Sequence, residues 1–172
     1  MTVEVERLFR TYHDTLVRYL TRRLGDRDWA EEVAQETFVR ALRQERIVNE
    51  RAWLFAVATN LVRDDARKDA RRRKHLELLR AESEEAVEPE PQTADDAQEM
   101  ALARAALESL AENDRLALLM REEGLDYHEI AEALELSVGS VGTTLSRARR
   151  RLAEGYEALV RERDGGRGHV AS

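Results

Sequence analysis

At 172 residues the chain can form one ordinary domain or two small helical ones. Two prolines and eight glycines among abundant Ala, Leu, Glu and Arg predict an all-α protein, and the lack of cysteine excludes a disulfide framework, a thiol nucleophile and a cysteine-held zinc. A net charge of −7 argues against a protein that grips duplex DNA unaided, because counterion release favours a basic chain.

The N-terminal part reads as three or four helices. The first spans about Val5 to Leu24, with Leu8, Phe9, Tyr12, Leu16, Tyr19, Leu20 and Leu24 on its apolar side, and Gly25 stops it. The second, Trp29 to Leu42, buries Ala30, Val33, Ala34, Thr37, Phe38 and Ala41. It leaves Glu32, Gln35 and Glu36 together as an exposed acidic patch at i, i+3 and i+4. A polar loop, Arg43 to Glu50, leads to a long helix beginning near Arg51. That helix starts apolar, with Trp53 as a core anchor, and turns strongly basic from Arg63 to Lys74. The basic run has a plain reading too, as a solvated helix end complementing its own dipole.

Charge then changes sign along the chain. Residues 1–75 hold 17 lysines and arginines against 13 acids, whereas residues 76–99 hold one against nine. The segment 81–99, with both prolines and almost nothing large and apolar, cannot bury enough surface to offset the entropy of ordering. It reads as a flexible acidic linker. The expected division is a domain over 1–76, a linker over 77–99, a second domain over 100–160 and a disordered tail over 161–172.

The segment Leu125 to Leu152 reads as two short helices around a tight turn. Asp126 is a candidate N-cap for the first, which carries Ile130, Ala131 and Leu134 at helical spacing. Ser137 opens a second helix whose apolar stripe is Val138, Val141, Leu145, Ala148 and Leu152. Its opposite face holds Ser140, Thr143, Arg147 and Arg150. A small, polar and positive helix face behind a supporting helix suits the DNA major groove; the same pattern also fits an ordinary helical hairpin with a solvated face.

The stretches AEEVAQETFVRAL (Ala30 to Leu42) and NERAWLFAVATNLVRDDARK (Asn49 to Lys68) resemble region 2 of bacterial sigma factors, and residues 125–152 resemble their region 4. The short acidic linker between the two points to the extracytoplasmic-function class. The resemblance implies two small helical domains in a transcription initiation factor that binds core RNA polymerase and reads promoter DNA. It implies docking of the Trp29–Leu42 helix, through Glu32, Gln35 and Glu36, on the clamp helices of the polymerase β′ subunit, with the β flap as a second contact. It assigns reading of the single-stranded −10 element to Arg46, Asn49, Asn60, Arg63 and Arg67, with a flipped base held by the loop from Arg46 to Asn49. It assigns the −35 element to Ser140, Gly142, Thr143, Ser146, Arg147 and Arg150. An anti-sigma protein is a further candidate partner.

This chain departs from the family pattern in two places. Gly142 stands where a lysine or arginine is usual and Thr144 where a basic residue is frequent, which removes long donors from the promoter-reading helix. Glu50 replaces the usual proline after the loop asparagine. No catalysis, cofactor or metal is expected. His13, His75, His128 and His169 are scattered without metal-ligand spacing, and no phosphate-binding glycine loop or nucleophile elbow occurs. No apolar run approaches a membrane span of roughly 20 residues, and no signal-peptide pattern precedes the first helix, so a soluble cytoplasmic chain is expected. Two other readings remain open: a free-standing dimeric helix-turn-helix regulator, and a helical adaptor whose basic face is merely solvated.

Overall fold

The computed structural model describes residues 4–65 and 93–168, which hold seven α-helices and no strand. Helix α1 (Val5–Leu24) ends where Gly25 turns left-handed at φ 70°, its N–H donating to the Thr21 carbonyl at 2.7 Å. Helix α2 (Arg27–Leu42) starts two residues before the expected Trp29. The Asp26 carboxylate caps it by accepting from the Trp29 N–H at 3.0 Å. Helix α3 (Glu50–Asp64) follows the loop; the rest of the expected basic helix, with Arg67, lies outside the described residues.

Helix α4 (Ala94–Glu108) begins inside the segment expected to be linker. Thr93 caps it, its hydroxyl accepting from the Asp96 N–H at 3.0 Å. Helices α5 (Glu112–Glu122) and α6 (Tyr127–Leu134) are short. Helix α7 (Val138–Gly168) is long, continuing past Leu152 and through most of the expected tail. The start of α4 and the end of α7 both correct the expected boundaries of disorder.

Helices α1, α2 and α3 pack around Leu8, Leu16, Leu20, Ala30, Phe38, Leu54 and Phe55, all fully or nearly fully buried. Inside this core the Tyr19 hydroxyl and Thr59 Oγ1 share a hydrogen bond of 2.8 Å, which satisfies two groups that burial would otherwise strand. Burial pushes the Tyr19 phenol above its ordinary pKa. Helices α5, α6 and α7 close around Leu116, Met120, Ile130, Val141 and Leu145, with α4 laid along α7. The two helical domains are in contact: α3 packs on α6 and α1 on α5, so one apolar core runs through both halves. Trp53, expected as an anchor, is only partly buried and packs at the margin of this core.

Candidate nucleic-acid interface

The supporting helix of the helix-turn-helix is closed at both ends by local hydrogen bonds. At its start Asp126 and Glu129 form a reciprocal capping box. The Asp126 carboxylate accepts from the Glu129 N–H at 2.8 Å, and Glu129 Oε1 accepts from the Asp126 N–H at 3.0 Å. The backbone hydrogen bond from Glu129 holds the Asp126 carboxyl below its ordinary pKa. At its end Glu135 adopts φ 56°, ψ 43°, and the Leu136 N–H reaches back to the Ala131 carbonyl at 2.9 Å. That geometry normally calls for glycine, and here a glutamate takes it. The turn sets α7 against α6, with Val141, Leu145 and Ala148 buried.

The outward face of α7 carries Thr143, Ser146, Arg149 and Arg150 exposed, with Ser140 and Gly142 half-buried. Val138, placed on the apolar stripe by its spacing, is instead 40 % exposed. Thr144 is buried, so a long basic side chain in that pose would have no room. Arg147 differs from expectation most. Its guanidinium forms a two-pronged pair with Asp114 of α5, Nη2 to Oδ1 at 2.7 Å and Nε to Oδ2 at 3.2 Å. Asp114 is 1 % exposed, and Arg151 approaches the same carboxylate at 3.6 Å. Hydrogen bonding to Asp114 raises the Arg147 pKa from its ordinary value. In this structure Arg147 anchors α7 to α5. Arg149, on the exposed face, is a cation that the sequence reading passed over.

In the N-terminal half Arg46, Asn49 and Asn60 are exposed, and Arg63 is half-buried at the end of α3. Two of these four reach the other domain. Asn49 leaves its own helix uncapped and donates from Nδ2 to Glu132 Oε2 at 2.7 Å. Arg63 donates to Glu112 Oε1 and Asn113 Oδ1, each at 3.1 Å. Arg23, whose guanidinium is nearly buried, donates to the same Glu112 at 2.9 Å and to the Thr59 carbonyl at 3.3 Å. Burial lowers the Arg23 pKa from its ordinary value. Arg51 completes the set with two bonds to Glu129, at 2.6 and 2.7 Å, and these raise its pKa. Arg18 adds a bond of 3.3 Å to Glu123. The boundary between the halves is therefore a seam of arginines on one side and glutamates on the other.

Away from this seam, Glu32, Gln35 and Glu36 are all exposed on α2. Glu32 and Glu36 line a shallow depression together with Val33, Leu61 and Asp65, so α2 and α3 both shape this acidic face. Glu36 also takes a bond of 3.4 Å from Arg40. Among the described residues no group of three His, Asp or Glu is arranged to hold a metal ion. No described helix is long and apolar enough to cross a membrane.

Comparison with known proteins agrees with these two halves. The Sigma-70 region 2 profile matches residues 8–72, and the Sigma-70, region 4 profile matches residues 100–152. The chain is 32% identical over 148 residues to the ferric citrate uptake sigma factor FecI of Escherichia coli, spanning 83% of this chain and 85% of that one. It is 31% identical over 160 residues to the RNA polymerase sigma factor YlaC of Bacillus subtilis, covering 84% and 87% respectively. Among solved structures, the sigma factor RpoE in complex with the anti-sigma factor NepR from Bartonella quintana shares the fold. Its TM-score is 0.64 at 22% identity, over 88% of this chain and 96% of that one.

Proposed function

Since the chain belongs to the extracytoplasmic-function sigma factors and so directs core RNA polymerase to promoters, we propose how its residues divide that work, and that the packed form described here is its promoter-silent state. Region 2 reads the −10 element through Arg46, Asn49, Asn60, Arg63 and Arg67. Region 4 reads the −35 element through Ser140, Gly142, Thr143, Ser146 and Arg150, joined by Arg149. Arg147 keeps the reading helix in register through Asp114. The Glu32, Gln35 and Glu36 face docks on a basic helical surface of the polymerase. The chain itself carries no catalysis, and it acts in the cytoplasm with the polymerase.

The observation that carries the silent-state reading is the bonding of Asn49 and Arg63 to Glu132, Glu112 and Asn113. Side chains meant for the exposed edges and phosphates of a single strand are already bonded to region 4. Binding the polymerase must then separate the halves, and an anti-sigma protein would act by holding them together. A ligand shifts such an equilibrium only by its differential affinity for the two arrangements, and docking sites spread apart on the polymerase supply that difference. A free-standing repressor offers no reason for the DNA-reading residues of one domain to face the acids of the other.

The test places one fluorophore on each domain and follows their separation as core polymerase is added. The separation should increase as promoter-specific transcription appears. A holoenzyme that transcribes with the halves still at their closed distance would sink the silent-state reading.

A further inference from the structure

We propose that Tyr127 and Val138 form an apolar shelf that recognises the C5-methyl group of one thymine in the −35 element. This rests on the reading that region 4 contacts that element. In the C-terminal half the exposed large apolar side chains among the described residues are these two, each 40 % exposed. Both border the position where the family's long donor is missing. A Cβ built on Gly142 would lie 3.6 Å from Tyr127 Cε2, so the glycine leaves that ring edge uncovered. Val138 lies one turn earlier on the same face of α7. The Arg121 guanidinium sits 5.7 Å from the Tyr127 ring centroid and steadies the ring from another side.

The chemistry follows from what this end of the helix lacks. The first turns of α7 expose Val138, Gly139 and Thr143, with no amide and no guanidinium, and the next long donor, Arg147, is committed to Asp114. Two-pronged reading of guanine or adenine needs such donors. The Thr143 hydroxyl can bond to more than one base edge, and the major-groove feature that the apolar pair can read is the thymine methyl, which is recognised by apolar contact. Gly139 and Gly142 keep the helix slim at the point of approach, which a methyl contact at van der Waals distance requires.

The test uses holoenzyme reconstituted from core polymerase and the full chain. A promoter is first selected from a library randomised at the upstream element, and each thymine there is then replaced singly by deoxyuridine, which removes only the methyl group. One replacement should reduce open-complex formation about fourfold, the factor one buried methyl is worth. That sensitivity should vanish in Val138→Ser and in Tyr127→Ser. The shelf is overturned if scrambling the upstream element abolishes initiation while no single deoxyuridine matters, or if both variants keep the full penalty. If scrambling the element has no effect, region 4 does not read it at all, and the underlying reading fails separately.

Discussion

The buried carboxylate of Asp114 decides more about the promoter-reading helix than any residue on its outer face. An acid that is 1 % exposed survives only if its charge is matched, and Arg147 and Arg151 match it from one turn of α7 to the next. Replacing it, as in Asp114→Asn, should lower the unfolding free energy by about 1–2 kcal/mol. The same variant should impair initiation from promoters that depend on the −35 element more than from those that rely on the −10 element. Equal loss on both promoter types would mean that the pair serves stability alone. Glu135 gives the opposite sign. A glutamate at φ 56° costs about 1 kcal/mol or more relative to its relaxed backbone, and glycine gives part of that back through its looser unfolded chain. Glu135→Gly should therefore raise stability by about 0.5–1 kcal/mol, measured as a higher urea midpoint with unchanged slope.

At the scale of the helix, termini were legible where a side chain announces them locally. Asp126 and Gly25 fall where capping chemistry puts them, and α1 begins and ends as its apolar spacing predicts. Thr93 carried the same signal, a hydroxyl three residues before Asp96, but the acidic composition around it argued for disorder and won. The extension of α7 past Val160 was missed for a different reason: residues 161–168 carry no apolar side chain, so no stripe marks those last turns. The capping box of α6 also makes a pH prediction. A carboxyl whose folded pKa is depressed contributes stability that is present above its ordinary value and lost as pH falls through the folded one. Asp126→Ala should thus lower the urea midpoint at neutral pH. The gap from the parent protein should begin to close near pH 4 and be gone at lower pH, where the parent is protonated too.

Across the whole molecule, the division into two helical domains was readable, but their contact was not. Asn49 and Glu132 lie 83 residues apart, Arg51 and Glu129 lie 78 apart, and nothing in local pattern joins them. The bond from Arg147 to Asp114 was hidden for the same reason, since the two lie 33 residues apart; the one available hint was an acid at core spacing in α5, between Leu110 and Ala117. Because the chain has no cysteine, the closed form can be tested cleanly. Joining Arg18→Cys to Glu123→Cys, a seam pair outside the promoter-reading set, with a short cleavable bis-thiol linker should abolish promoter-specific transcription, and cleaving the linker should restore it. Full activity in the linked protein would show that opening is unnecessary. A charge-swap cycle on Arg51 and Glu129 should couple by about 1 kcal/mol, the partial exposure of the guanidinium holding it to that size. Glu129 belongs both to this seam and to the capping box, so one side chain is answerable to two structures at once. That shared duty limits how such genes can recombine. A hybrid that took region 4 from a relative with a different residue at this position would inherit either a frayed supporting helix or a loosened seam. A region 4 transplanted into this chain therefore keeps the closed form only when it brings a partner for Arg51.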